Sequence, residues 1–342
     1  MNSLNVYSGA SAINDFLNPK NHLTPLVELD KSLNPLWNEK VHIYIKMQTF
    51  LPLMNVKSVP AFEMLKRSQK QADNLVESSS GNMAFSLTIL SKLFGYEKMR
   101  SVVSDTTSAG KLQMLLLAGS EIWVNHEPEN VLENPEESGI EVAKRMGEKK
   151  DWQNFNQYAN INNPLGHYEN CAKQIVEQLN NDIQVFGTTL GTTGTMSGIA
   201  KYLKEYTQAQ CIGVVKKEHS PVPGPRSQKL LNMIELEWRK YVDEVVEGDT
   251  QGAYLQSLNL CRKGLLVGPS SGLSLDGLIF YLQEHKNLEK LRNREGKINC
   301  VILGCDLPFM YMDEYFKYLP RHIFPEVYNQ ALLKEKIGFE EF

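Results

Sequence analysis

The chain has 342 residues, which is long for one domain and sufficient for two. Its hydrophobic share of 42%, charged share of 22% and formal net charge of −4 are ordinary for a globular protein. This charge gives no electrostatic reason to expect nucleic acid as a partner. No uninterrupted apolar run is long enough to span a bilayer, so we expect no membrane partner either.

The cysteine pattern excludes two further classes of protein. Five scattered cysteines form no C-x-x-C pair, so neither a metal site nor a disulfide framework is expected. The N-terminus lacks a basic segment followed by an apolar core, and therefore does not look like a signal peptide. These features predict a reduced, cytoplasmic compartment.

Strand-like and helix-like segments alternate after a loop-rich stretch of about 40 residues. The predicted strands cover residues 41–47, 74–77, 101–104, 121–125, 183–187, 211–215, 242–247, 265–268 and 299–305. The predicted helices cover residues 84–94, 109–118, 137–149, 167–179 and 252–262, and others begin near residues 61, 196 and 269. Residues 152–164 are predicted to form a polar loop.

The repeated strand-then-helix order predicts an α/β fold with mainly parallel, twisted sheets flanked by helices. Two sheets are expected, because about nine strands over this length favour two domains. Ligands in such folds collect where loops leave the carboxyl ends of the strands. Four loops are therefore candidates for the chemistry, and they surround Lys57 and residues 78–82, 187–195 and 269–272.

The loop at residues 187–195, GTTLGTTGT, joins a predicted strand to a helix. Its glycines let the backbone approach a ligand closely, and the helix N-terminus supplies unpaired N–H groups. It matches neither the Walker nor the G-x-G-x-x-G pattern, so it is either a phosphate-binding loop or a tight turn. The serines at residues 78–80 and 270–271 are similarly either helix caps or anion-binding turns.

Lys57 follows a strand and a loop broken by Pro52, just before an apolar helical run. It is either an ordinary surface charge or an amine of lowered pKa that forms a Schiff base with an aldehyde cofactor.

Together these loops resemble the cysteine synthase and cystathionine β-synthase family, the fold-type II enzymes of pyridoxal phosphate (PLP). The similarity runs in order from about residue 24 to residue 315. Residues 46–57 look like the K-L-E-x-x-N-P-G-G-S-V-K stretch, residues 79–82 like T-S-G-N, residues 191–195 like G-T-G-G-T, and residues 266–272 like L-V-G-I-S-S-G. Residues 156–160, NQYAN, and the doubled threonine at 192–193 hint at the branch that makes 2,3-diaminopropionate precursors.

The resemblance implies a role for each matching residue. Lys57 would carry PLP as a Schiff base, and Asn82 would contact the phenolic oxygen of the cofactor. Ser79, Ser80 and Gly81 would bind the substrate carboxylate, which Gln157 would also reach. The cofactor phosphate would lie on the loop Gly191, Thr192, Thr193, Gly194 and Thr195.

The resemblance also implies the domain organisation. Residues 1–45 and 155–325 would form the larger, phosphate-binding domain, and residues 46–154 the smaller domain with the lysine and the carboxylate loop. Residues 326–342 would form a C-terminal tail that packs on the protein or on a dimer partner, since the family implies a homodimer.

The chain departs from the family at several positions. Residues 51–55, LPLMN, replace N-P-G-G-S, Met83 replaces a threonine, and no Gly-Ile-Gly loop is found near residues 231–234. The serine that contacts the pyridine nitrogen aligns with Asp306, within one residue of Cys305. A carboxylate there would strengthen the cofactor as an electron sink, and the alternative is that Asp306 is a solvated loop residue.

The implied function is β-replacement, or β-elimination, on serine, cysteine or an O-activated serine through an aminoacrylate intermediate. Lys57 would then also act as the general base. One alternative is a PLP lyase or racemase that exploits Asp306. An alternative of another class is a degenerate relative that binds PLP or a partner without turnover.

Overall fold

The computed structural model describes residues 5–128, 130–284, 288–329 and 332. Ten strands in these ranges form two sheets. The strands are β1 Leu26–Glu28, β2 Val41–Met47, β3 Asn74–Ser78, β4 Lys98–Ser104, β5 Glu121–Asn125, β6 Trp152–Asn154, β7 Val185–Thr189, β8 Gln210–Lys216, β9 Glu244–Gly248 and β10 Ile298–Gly304. Among the described helices, none is long and apolar enough to cross a bilayer.

The larger sheet has six strands in the order β1-β2-β10-β7-β8-β9, and only β1 runs antiparallel to its neighbour. The smaller sheet has four parallel strands in the order β5-β4-β3-β6. The prediction of an α/β fold with two mainly parallel sheets is confirmed. Every strand of the smaller sheet falls within residues 46–154, whereas the domain boundaries themselves stay a prediction.

Helices cover both faces of the larger sheet and the faces of the smaller one. They are α1 Ala12–Leu17, α2 Ser58–Arg67, α3 Asn82–Leu93, α4 Ala109–Ala118, α5 Gly139–Gly147, α6 Asn162–His167, α7 Lys173–Gln178, α8 Gly194–Tyr206, α9 Thr250–Arg262, α10 Pro269–Glu284 and α11 Met312–Tyr318. A π-helical turn, Tyr168–Ala172, joins α6 to α7. The C-terminal tail predicted at residues 326–342 lies mostly outside the described residues.

Strand β10 lies at the centre of the core, and all seven of its residues are buried. Ile298, Cys300 and Ile302 pack with helices α9 and α10, whereas Val301 and Leu303 pack on the opposite face with α7 and α8. A strand covered on both faces reads as a continuous apolar run, which is why the sequence predicts it well.

Two predicted segments were wrong. Residues 265–268 form no strand, because this short apolar run only leads into α10, and Val267 is buried without pairing. A short apolar run predicts burial but does not distinguish strand from coil. The predicted loop at residues 152–164 contains β6, which pairs with β3, and the start of α6. Its polar side chains form neither a strand pattern nor a helix pattern, so neither element was predicted.

Lys46 is fully buried on the face of β2 that lies opposite the core residues Val41, Ile43 and Ile45. Its Nζ donates to the Thr24 carbonyl oxygen at 2.6 Å and to the side-chain oxygens of Gln174 at 2.8 Å and Gln178 at 2.7 Å. Burial lowers the pKa of this amine to about 8. Neutral oxygens therefore stabilise the buried amine and tie β2 to α7.

Close packing of α10 on α9 depends on Gly272. An added Cβ there would lie 1.9 Å from the Ala253 carbonyl oxygen and 2.7 Å from the Ser257 nitrogen. We expect Gly272→Ala to destabilise the protein by about 1–3 kcal/mol in chemical denaturation, because the added methyl group would force the backbones of the two helices apart. Gly187→Ala is the control, since its nearest contact would be an ordinary 3.5 Å. Equal midpoints for the two variants would contradict this prediction.

Candidate active site

A cavity of about 490 Å³ lies between the two sheets, at the carboxyl ends of their strands. Loops that follow strands of both sheets line it, as expected for a parallel α/β fold. The predicted site residues on its wall are Lys57, Ser79, Ser80, Gly81, Asn82, Gln157, Gly191, Thr192, Thr195 and Asp306. Thr193 and Gly194 lie on the helix side of their loop and do not line the cavity.

Lys57 immediately precedes α2, and the loop before it is fastened to the end of β10. The Val56 N–H donates to the Cys305 carbonyl oxygen at 2.7 Å, and Asn55 forms an antiparallel bridge with Asp306. Asn55 also caps the start of α2, because its Oδ1 accepts from the Ser58 N–H at 3.1 Å. These contacts hold the lysine at the cavity wall, which excludes the interpretation as an ordinary surface charge.

The amine of Lys57 is poised for chemistry. Among the described residues it has neither a hydrogen-bond partner nor an ion-pair partner. Burial lowers its pKa, although the nearby Cys305 and Asp306 groups act in the opposite direction. A lysine of lowered pKa has a larger neutral fraction, and the neutral amine is the form that attacks carbonyls and removes protons.

Asp306 is buried, which overturns the interpretation as a solvated loop residue. Its Oδ2 accepts from Asn82 Nδ2 at 2.6 Å and from the Tyr311 hydroxyl at 2.7 Å. Its Oδ1 is buried and has no partner among the described residues. Burial raises the pKa of this carboxyl, and the two hydrogen bonds and Lys57 oppose that shift. Asp306 therefore places a carboxylate with one unpartnered oxygen at the cavity wall.

The turn at residues 79–82 caps the start of α3. Ser79 Oγ accepts from the N–H groups of Gly81 and Ala84, each at 3.3 Å. The adjacent Gln157 is buried, and its Nε2 donates to the Ser78 carbonyl oxygen at 3.0 Å. Met83 lines the cavity beside this turn and packs into the core of the smaller sheet.

The loop between β7 and α8 brings backbone close to the cavity. A Cβ on Gly191 would lie 2.7 Å from the Gly224 carbonyl oxygen, so only glycine fits there. Thr192 Oγ1 accepts from Asn163 Nδ2 at 3.2 Å, and Thr195 Oγ1 lies 3.1 Å from His167 Nε2. The N-terminus of the 13-residue α8 therefore opens beside oriented hydroxyls, which suits an anionic group.

Sequence reasoning missed several residues of the cavity wall, and those with charged or phenolic side chains are Lys111, Lys216, Arg226 and Tyr311. Lys216 directly follows the strand predicted at residues 211–215, and Arg226 follows a Pro/Gly-rich loop, so position was the only available signal. Lys111 comes from a segment without a recognised motif, and Tyr311 follows Asp306 by five residues with no pattern that marks it.

Glu77 is a buried acid near the end of β3, just before the turn at residues 79–82. Its Oε1 accepts from the Ser78 N–H at 3.2 Å, whereas its Oε2 has no partner among the described residues. Burial raises the pKa of this carboxyl to about 8. The folded protein therefore holds a proton at Glu77 that the unfolded chain releases near pH 4.5.

A pKa raised on folding adds stability at low pH, and that stability is lost as the pH rises from about 4.5 to about 8. We expect Glu77→Gln to match the wild type at pH 5 and to exceed it by about 3–5 kcal/mol at pH 9. Thermal unfolding across this pH range measures the difference, and Glu148→Gln, at an exposed position, is the control. A constant difference between Glu77→Gln and wild type at all pH values would contradict the prediction.

The fold and cavity place an unpaired lysine, a buried carboxylate and a Gly/Thr-rich loop at a helix N-terminus in one α/β site. A family model for pyridoxal-phosphate dependent enzymes matches residues 17–303, and the chain belongs to this family. It is therefore a PLP-dependent enzyme, and the predicted family and cofactor are confirmed.

Curated relatives agree with this assignment, and solved structures share the fold. Cysteine synthase B from Pseudomonas aeruginosa is 29% identical over 271 residues, covering 77% of this chain and 88% of the relative. Cystathionine beta-synthase from Dictyostelium discoideum is 29% identical over 315 residues, which cover 85% of this chain and 59% of that protein. O-ureido-L-serine synthase superposes with a TM-score of 0.73 at 21% identity, covering 90% of this chain and 96% of that one. A hydrogen sulfide-producing enzyme from Fusobacterium nucleatum superposes with a TM-score of 0.71 at 24% identity, covering 90% and 99%.

The residues of this cavity fit the cofactor. Lys57 offers an unpaired amine for its aldehyde, and Asp306 offers an unpartnered oxygen for its ring nitrogen. Asn82 and Asp306 are hydrogen-bonded neighbours at 2.6 Å, and they would hold the phenolic oxygen and the ring nitrogen, respectively. The loop at residues 191–195 leads into the N-terminus of α8, whose unpaired N–H groups would suit the phosphate.

Proposed function

We propose that this enzyme catalyses β-replacement on serine, cysteine or an O-activated serine, with β-elimination as the competing outcome. The observation that carries the proposal is the position of Lys57, whose unpaired amine shares one cavity with the turn at residues 79–82 and with Asp306. Cysteine synthase B and O-ureido-L-serine synthase, to which the chain is similar, are named for products of this kind.

When bound, PLP supplies an electron sink that stabilises negative charge at the Cα atom of an attached amino acid. Lys57 would hold the cofactor through its amine, and the same amine would take the Cα proton of the substrate. Its burial supports this role, because a lowered pKa keeps part of the amine neutral near pH 7. Asp306 would stabilise the proton on the ring nitrogen, and the loop at residues 191–195 would hold the phosphate.

Ser79, Ser80 and Gly81 bind the substrate carboxylate, together with Gln157. The turn lies at the cavity wall and is fixed by the contacts of Ser79 Oγ with backbone N–H groups. This rigidity supports binding of one carboxylate orientation, which positions the Cα–H bond toward Lys57. Met83 offers no hydroxyl at the position where the family has threonine, so fewer donors hold the carboxylate here.

A lyase or racemase is the second candidate, and the buried carboxylate of Asp306 favours it. A carboxylate at the ring nitrogen stabilises negative charge at Cα more fully than a hydroxyl does. Such stabilisation lengthens the time available for reprotonation at Cα. The reactions are separable, because racemisation exchanges the Cα proton without loss of the β-substituent.

The test is to incubate the holoenzyme with serine, cysteine, O-acetylserine or O-phosphoserine, with and without a thiol nucleophile. Mass spectrometry detects the β-substituted amino acid, and pyruvate with ammonia reports elimination. Chiral chromatography and Cα deuterium exchange report racemisation. A product from the thiol with at least one substrate supports replacement, whereas Cα exchange alone supports the racemase. A holoenzyme that yields neither contradicts both.

We also propose a homodimer in a reducing, cytoplasmic compartment. The family resemblance supports the dimer, and five free cysteines, four of them buried, fit a reducing compartment. Light scattering on the purified holoenzyme measures the mass directly.

A further inference from the structure

Three cationic side chains share the cavity wall with Lys57 and have no role in the proposed reaction. Lys111 comes from α4, Lys216 ends β8, and Arg226 follows the loop Pro223–Pro225. None belongs to the phosphate loop at residues 191–195 or to the carboxylate turn at residues 79–82. The wall therefore holds positive charge beyond what those two anionic groups require.

Of these three side chains, Lys111 is paired with a carboxylate, whereas Lys216 and Arg226 are not paired with one in the described part of the chain. Lys111 Nζ pairs with Glu314 Oε1 at 3.0 Å. Lys216 Nζ donates to the Val222 carbonyl oxygen at 3.1 Å, and the Arg226 guanidinium lies 5.0 Å from the Tyr158 ring centroid. Within the described ranges, neither Lys216 nor Arg226 forms an ion pair with a carboxylate.

The electrostatic repulsion among these side chains affects the pKa of Lys216. Burial, together with the charges of Arg226 and Lys111, lowers the pKa of its amine to about 8, and Glu314 only partly opposes the shift. Partly buried like charges repel one another unless an anion joins them. A phosphate monoester carries close to two negative charges at neutral pH. It therefore matches the charges of Lys216 and Arg226, and the guanidinium fork suits its oxygens.

We infer that Lys111, Lys216 and Arg226 form a subsite for a phosphate monoester on the side chain of the amino-acid substrate. This inference rests on the proposed β-replacement function and names its substrate class. In the reaction, the Cα proton passes to Lys57 and the Cβ–O bond breaks with its electron pair on oxygen. Inorganic phosphate then remains at the subsite, the nucleophile loses its proton and supplies the electron pair of the new bond at Cβ, and Lys57 returns a proton to Cα.

The experiment compares kcat/KM of the holoenzyme for O-phospho-L-serine and O-acetyl-L-serine in the wild type, Arg226→Gln and Lys216→Met. Loss of a charge-assisted contact lowers kcat/KM for the phosphorylated substrate by about 10–100-fold and leaves the acetylated one within about threefold. Lys217→Gln is the matched control, because Lys217 pairs with Asp249 at 2.8 Å and is exposed. An equal loss with both substrates would overturn the inference.

Calorimetric titration of the holoenzyme with inorganic phosphate gives a readout independent of turnover. We expect binding that weakens about tenfold or more in Arg226→Gln and is unchanged in Lys217→Gln. If phosphate binds through Arg226 but neither substrate reacts, the proposed function fails and the subsite stands. If O-acetylserine reacts and phosphate does not bind, the subsite fails and the function stands. Phosphate binding without any advantage of O-phosphoserine over O-acetylserine identifies a free-phosphate site and overturns the substrate assignment.

Discussion

Lys57→Ala is expected to lower turnover by at least about 10³-fold, because one change removes both the attachment point of the cofactor and the proposed general base. The purified variant should also lack the visible absorption band of lysine-bound PLP. Added PLP should still bind without a covalent link, since the phosphate loop and Asp306 are untouched. Borohydride reduction followed by peptide mass spectrometry measures the link directly, with the mass increase on the peptide that contains Lys57 in the wild type.

Lys66→Ala is the control for this experiment. Lys66 belongs to the same helix α2 but is exposed. The variant should retain both the absorption band and the mass increase. A Lys57→Ala protein that is still modified by borohydride at another lysine, and still turns over, would contradict the assignment.

Asp306→Asn should produce the second large effect, a loss of turnover of about 10²–10³-fold. An amide cannot stabilise a protonated ring nitrogen as a carboxylate does, so less of the charge at Cα is withdrawn. The visible absorption of the bound cofactor should shift, because the ring nitrogen loses its proton. Nitrogen NMR of holoenzyme loaded with ring-labelled PLP reports that proton directly.

Asp313→Asn is the matched control, since Asp313 is an exposed acid in the first turn of α11. Tyr311→Phe is a useful companion variant. It removes the 2.7 Å hydrogen bond to Asp306 and leaves the charge in place, so its effect should be smaller. An unchanged nitrogen signal in Asp306→Asn would contradict the role proposed for this carboxylate.

The sequence predicted most of the fold because the decisive patterns are local. Residues 109–118 and 121–125 match their helix and strand without error, since a run of helix formers ends at Gly119 and a short strand follows. The wrong segments carried a misleading local signal, which was an apolar run at residues 265–268 and a polar composition at residues 152–164. Their conformation depends on tertiary packing that neither periodicity nor composition records.

Some residues of the candidate site were likewise predicted from local sequence patterns, and others were not. Loops with glycine and hydroxyl side chains at strand ends indicated Lys57, the turn at residues 79–82 and the loop at residues 191–195. The contact of Asn82 with Asp306 joins residues 224 positions apart, and no local pattern predicts it. The charges of Lys111, Lys216 and Arg226 were missed because an isolated basic residue usually faces solvent.

The pairing of β2 with β10 has a consequence for how the protein is made. Residues 41–47 lie beside residues 298–304, so the central contact of the larger sheet joins nearly opposite ends of the chain. The strands of the smaller sheet, by contrast, lie within residues 74–154 and can pair while the ribosome is still working. Contacts of such long sequence separation form late, because the chain loses the entropy of closing the intervening loop before the contacts stabilise it. Lys57 and Asp306 therefore meet only at the end of folding, and a nascent chain should not capture its cofactor before release.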